Sequence, residues 1–137
     1  MKNGILKFGD DFVVSKKFTV NDLKKLEKKY SVVQLTANGN YKSYKITPIK
    51  FLGKNIIAIL NFEGDAIRRV NIYLISKDAS WSTETEIFEK RKKSAQDAWL
   101  SSLLNAPPPY SFDWGRIESN YDQRSCSSTI TVTFEDA

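Results

Sequence analysis

Four strand-like runs follow one another between residues 31 and 75 with almost no chain left over to connect them. Residues 31–35, 41–47, 55–62 and 67–75 are rich in β-branched and aromatic side chains. Asn38-Gly39, Gly53-Lys54 and Glu63-Gly64-Asp65 lie between them. Asn-Gly flanked by such runs is a hairpin signal, because both residues tolerate the positive φ of a tight turn. Connections this short cannot carry the chain back for parallel pairing, so neighbouring strands are expected to be antiparallel. The 55–62 run is apolar at both parities, with Ile57 and Ile59 set against Ile56, Ala58, Leu60 and Phe62. That predicts a central strand covered on both sides. In 67–75, Val70, Ile72 and Leu74 share one face.

Two helices are expected around this block. Thr19 is a good N-cap with Asp22 at N3, and Phe18 and Leu23 can staple the turn. Leu23, Leu26 and Tyr30 then fall at helical spacing. Thr83 and Glu86 form a second capping box, with Glu84 adding charge to the first turn. This helix runs to about Leu104, with Phe88, Ala95, Trp99 and Leu103 as its core stripe. Leu100 and Leu104 fall off that stripe, so the C-terminal end reads as buried nearly all round. Asn105-Ala106-Pro107-Pro108-Pro109 imposes a stiff loop. Beyond it, residues 112–118, anchored by Trp114, and 127–134 read as a hairpin. Gly115 is expected to let a backbone pass close to Trp114. Ile130, Val132 and Phe134 alternate with Thr129, Thr131 and Thr133, one face for a core and one for water. The expectation is a single α+β domain over residues 1–137: one mostly antiparallel sheet of about five to seven strands, with two helices packed on it.

The residue inventory argues against catalysis. The chain of 137 residues has no histidine, which removes the commonest general base and metal ligand. Its one cysteine, Cys126, rules out an internal disulfide and a Cys-rich zinc site. Arg124 could lower the pKa of Cys126, but no histidine can take the proton. Asp10-Asp11 is the tightest carboxylate pair. Adjacent strand residues point to opposite faces, so it reads as a turn between Leu6-Phe8 and Phe12-Val14 rather than a metal site. No phosphate-binding glycine loop occurs. The expectation is therefore no enzyme, no cofactor and no metal. The longest apolar run, Ile56 to Leu60, is far too short to span a bilayer. The first residues lack the apolar core of a secretory signal, and the protein reads as cytoplasmic.

Charge is unevenly spread. Residues 1–105 hold 19 Lys and Arg against 11 Asp and Glu, a net +8. Residues 106–137 hold 2 against 5, a net −3. The densest basic runs are Lys24, Lys25, Lys28 and Lys29, and Lys90, Arg91, Lys92 and Lys93. Such runs on helices are ordinarily solvated faces. The alternative is a basic nucleic-acid-binding module using those two runs. Tyr41, Lys42, Tyr44 and Lys45 interleave aromatic and basic residues, which could stack bases or simply guard a strand edge.

The most distinctive stretch is Trp114-Gly115-x-Ile117-x-Ser119-x-Tyr121-Asp122-x-Arg124-Ser125-x-Ser127-Ser128-x-Ile130. Together with Trp81 and Trp99-Leu100, it resembles small bacterial immunity-type proteins, the toxin-neutralising partners of contact-dependent and polymorphic toxin systems. The resemblance runs over roughly residues 56–134. It implies a protein that binds one toxin domain, one to one, and blocks it without covalent chemistry. A nuclease-type toxin with a basic active site would be drawn to the acidic C-terminal quarter. Tyr110, Asp113, Glu118, Tyr121, Asp122 and Arg124 are therefore the candidate toxin-contact residues, and the polar loop around Asp122 to Ser128 is expected to concentrate acids, Tyr121 and Arg124 at one end of the sheet.

Overall fold

The computed structural model describes residues 3–9, 12–74, 85–122 and 127–135; for Pro48, residues 85–92, Asp122 and Ser127 it describes the backbone alone. Among the described residues, nine strands and two helices follow in chain order: β1 Leu6–Phe8, β2 Phe12–Val14, α1 Val20–Lys24 continued by a 3-10 turn Lys25–Lys28, β3 Ser31–Asn38, β4 Tyr41–Phe51, β5 Lys54–Glu63, β6 Ala66–Leu74, α2 Thr85–Leu104, β7 Tyr110–Phe112, β8 Gly115–Asp122 and β9 Ser127–Phe134. They build one antiparallel sheet in the order β2-β1-β4-β5-β6-β9-β8-β7, with β3 pairing β4 beside that path. The α+β expectation holds, and the strand count exceeds it. The surplus comes from three pieces of three residues each: β1 and β2, the Leu6–Phe8 and Phe12–Val14 segments on either side of the expected Asp10-Asp11 turn, and β7, which is too short to show a period.

β4 explains how the sheet carries both β3 and β1 on one edge. Residues 41–47 pair with β3, and Phe51 pairs with Phe8 of β1. The other edge pairs with β5, with an irregularity between Ile46 and Ile49. Pro48, which has no N–H to give a ladder, falls at that break. β4 runs on to Phe51, and the tight turn into β5 is Leu52-Gly53, both with positive φ (50° and 81°), one residue earlier than Gly53-Lys54.

Register sorts the side chains into two faces. On the inner face Leu60, Val70, Val132 and Ile117 form one cross-strand row, and Ala58, Ile72 and Ile130 the next. All seven are buried in a single core cluster. Both helices add to this same cluster. α1 and the residues before it contribute Phe18, Val20 and Leu23, and α2 contributes Leu100 and Leu104. The Thr19 hydroxyl accepts from Asp22 N–H (3.2 Å) while the Asp22 carboxylate accepts from Thr19 N–H (3.0 Å), the expected capping box.

The buried stripe of α2 differs from the expected one. It is Gln96, Leu100 and Leu104; Ala95 is exposed, and Trp99 and Leu103 are half-buried. The side chain of Phe88 and the capping box at Thr83 and Glu86 lie outside the described residues. The stripe is misread from sequence because its first member is polar. Gln96 is fully buried, and its amide N–H₂ donates to Ser119 Oγ (2.8 Å) and to the Thr129 carbonyl (3.2 Å). It thus fastens the helix to β8 and β9, while its carbonyl Oε1 has no hydrogen-bond partner. Gln96→Ala strands two acceptors and opens a cavity, and should cost about 2–4 kcal/mol. Gln96→Met keeps the volume and removes the unsatisfied oxygen, and should cost less than half as much. Urea unfolding of the two variants checks the order; equal losses would mean that the cavity contributes nothing and that the hydrogen bonds, lost in both variants, carry the cost.

Candidate partner-binding surface

The other face of the sheet carries neither helix. Its residues follow from the same register. One row runs Thr36, Ser43, Asn61, Arg69, Thr133 and Arg116, from β3 across to β8. The next runs Val33, Lys45, Ile59, Asn71, Thr131 and Glu118. Ile57 opposite Tyr73 lies beyond it. Neighbouring positions in such rows are about 5 Å apart. Both faces of β5 are apolar, yet only one is packed. Ile56, Ala58, Leu60 and Phe62 are buried, whereas Ile57 and Ile59 are half-buried on the helix-free face. The expectation of a strand covered on both sides is therefore corrected. Two isoleucines are left among asparagine, threonine, tyrosine, lysine and arginine, an association of residue types common in protein interfaces.

At one end this face sinks into a recess of about 390 Å³, whose lining includes Thr36, Tyr41, Ser43, Asn61, Arg69 and Thr133. Thr36 Oγ1 and Ser43 Oγ are joined at 2.7 Å. Asn61 Nδ2 and Thr133 Oγ1 are enclosed and have no hydrogen-bond partner. Arg68 pairs with Glu63 (3.1 Å), and Arg116 is held between Glu118 (2.9 Å) and Glu135 (2.8 Å). Sequence reasoning missed this face. Its signal was the second apolar parity of 55–62, taken for burial.

β3 borders the recess as an edge strand, exposed along almost its whole length, with Val33 and Leu35 among its exposed large hydrophobics. It contains no lysine, glutamate or proline to blunt that edge. Lys42 and Lys45 sit on β4, inside the sheet, so they are not edge guards. Nor do Tyr41 and Tyr44 form one stacking platform. They occupy opposite parities, and Tyr44 packs edge-on against Phe62 at 5.9 Å.

The tail residues do not gather at one place. Asp113 is exposed in the turn before β8, and Asp122 ends that strand. Seven steps along a strand separate the two ends by roughly 23 Å. Glu118 lies between, on the helix-free face. Tyr121 is half-buried on the inner face, at the register position of the buried Ser128. The Asp122 side chain, Arg124, Cys126, Trp81 and the Asp10-Asp11 turn lie outside the described residues. Among the described acids of the tail, only Asp113 is without an ion pair. Of the lysine runs, Lys24, Lys25, Lys28 and Lys29 are exposed, Lys93 pairs with Asp97 (2.8 Å), and the side chains of Lys90, Arg91 and Lys92 lie outside the described residues.

Tyr110 is a core anchor, with little of its side chain left at the surface for a partner. It is 8% exposed, and its hydroxyl donates to the Ala106 carbonyl at 2.6 Å, tying β7 to the loop after α2. Burial raises its pKa above the ordinary 10.0. The folded state then holds the phenolic proton at a pH where the unfolded chain has released it. The stabilisation is complete below about pH 10 and is lost as pH rises through the raised value. The stability gap between wild type and Tyr110→Phe should therefore narrow between about pH 8 and about pH 11. Urea midpoints at the two pH values measure it, and a constant gap would contradict the assignment.

No protein-family model matches this chain, and no curated protein matches it. Among solved structures, it is similar to a chain of the complex "Rhs1-CT in complex with cognate immunity protein RhsI1". The TM-score is 0.57, covering 96% of this chain and 82% of that one, at 17% identity. At that identity the likeness is one of fold, and it extends over nearly the whole sheet-and-helix arrangement described above.

Proposed function

We propose that this protein is the immunity-type partner of a bacterial toxin domain, which it binds one to one and neutralises by non-covalent blockade. The fold likeness to a chain of a toxin–immunity complex carries this reading. The residue inventory supports the inhibitor over the toxin: a chain with no histidine and one cysteine has few means of acid–base or nucleophilic catalysis. The binding face is the helix-free face of the sheet. It combines half-exposed isoleucines with tyrosine, asparagine and arginine on a rigid scaffold, the make-up of an interface centre with a polar rim.

Co-expression with the toxin domain encoded by the adjacent upstream gene tests this, with only the immunity candidate tagged. A one-to-one complex that persists in about 0.5 M salt is expected, because contacts centred on apolar burial are weakly screened. Protection of cells from that toxin should accompany it. Absence of a complex, together with salt-sensitive retention on a nucleic-acid column, would favour the lysine runs and a nucleic-acid-binding module instead.

A further inference from the structure

We propose that the recess at the β3 side of the helix-free face is a carboxylate pocket that receives an aspartate or glutamate side chain of the toxin domain. This rests on the reading of the protein as a toxin-binding partner.

The donor set selects the ligand. Asn61, Arg69 and Thr133 are consecutive positions of one cross-strand row, and all three line the recess. Arg69 is exposed and makes no ion pair among the described residues. The Asn61 amide nitrogen and the Thr133 hydroxyl are enclosed without a partner. A buried polar group left unpaired is costly, and a folded chain normally satisfies it. The row thus puts an amide N–H donor, a hydroxyl and a guanidinium at neighbouring positions of one recess lining. A carboxylate offers two oxygens to accept these bonds, and arginine holds it in a bidentate fork. Ser43 and Thr36 already bond each other, which leaves their side of the recess as a fixed wall.

The surroundings select a protein carboxylate over a nucleic-acid phosphate. A phosphate backbone is tracked by a series of unpaired cations. The other two arginines of this region are engaged, Arg68 by Glu63 and Arg116 by Glu118 and Glu135. Lys42 also lines the recess, from the opposite parity of β4, and Lys45 stands in the next row, so the remaining cations lie at separate positions around Arg69 and form no continuous track. Arg69 also adjoins Ile59 and Asn71 of the next row, which suit an apolar protein contact.

The first arm of the test needs no toxin. N-acetyl-glutamate N-methylamide is titrated into the ¹⁵N-labelled protein while the Asn61 amide and Arg69 Nε–H resonances are followed. Saturable shifts in the millimolar range are expected, of the order seen for single charged contacts. They should vanish in Arg69→Ala and weaken about 3–10-fold in Thr133→Val. No shift at these groups would overturn the proposal. So would stronger binding of a ten-nucleotide oligothymidylate at the same groups, which would make the recess a phosphate site. In the toxin complex, Arg69→Ala should weaken binding about 30-fold or more. A complex that forms but ignores Arg69→Ala overturns the carboxylate pocket and leaves the immunity reading standing. Carboxylate shifts without any toxin complex would sink the immunity reading, and with it the assigned occupant.

Discussion

Gly115→Ala should leave little folded protein. Gly115 has φ of 151°, and a Cβ built there would lie 1.9 Å from the Thr133 carbonyl oxygen. That oxygen belongs to β9, in the ladder that joins β8 to the rest of the sheet, so it cannot withdraw without breaking the register from Gly115–Phe134 onward. Backbone strain of about 1–3 kcal/mol adds to an overlap of at least similar size. Domains of this kind have a total stability of about 5–15 kcal/mol. We expect a loss of about 4 kcal/mol or more, read as a collapse of the urea midpoint. Gly53→Ala is the control. Its φ is also positive, but its Cβ meets open space, so the loss should be about 1 kcal/mol. Similar midpoints for the two variants would mean that β9 can shift, and that the β8–β9 register is softer than the close approach implies.

The same position shows what was legible in the sequence. A strand glycine beside Trp114 announces a close backbone approach, but the wrong partner is read from proximity in sequence. β9 approaches Gly115, while Trp114 stacks on Phe112 at 5.2 Å and leaves room only for Gly4, where an added Cβ would meet the indole at 2.8 Å. Local signals held: the Thr19 cap, the β1–β2 hairpin and the alternation of β9 appear as expected, and a hairpin follows Asn38, with Gly39-Asn40 as its two turn residues, one later than Asn38-Gly39. These depend on a few adjacent residues. What failed depended on distant partners. Gln96 belongs to the core stripe only because Ser119 and Thr129 stand opposite it. Ile57 and Ile59 stand on a helix-free face because both helices went to the other side. Asp113 and Asp122 both belong to the acidic tail, but β8 draws the chain between them out straight.

That separation decides between two contact faces, and Ile59→Arg tells them apart. Ile59 sits near the middle of the helix-free face, in one row with Lys45 on one side and Asn71 on the other. It is half-buried, so the longer side chain can reach solvent in the free protein, and the fold should lose only about 1 kcal/mol. In the complex the same guanidinium would be pressed against the toxin with its water removed, and an unpaired buried charge costs several kcal/mol. We expect toxin affinity to fall about 100-fold or more, near 2.7 kcal/mol, mainly through faster dissociation. Asp113→Ala, at the far turn, should change affinity by no more than about 2-fold, as for a rim charge. Surface plasmon resonance on the two variants gives both rates. If Asp113→Ala proves the more damaging, the toxin docks on the β7–β8 end and the open isoleucines serve another purpose. If Ile59→Arg does, the second apolar parity of β5 is there because the toxin completes its burial.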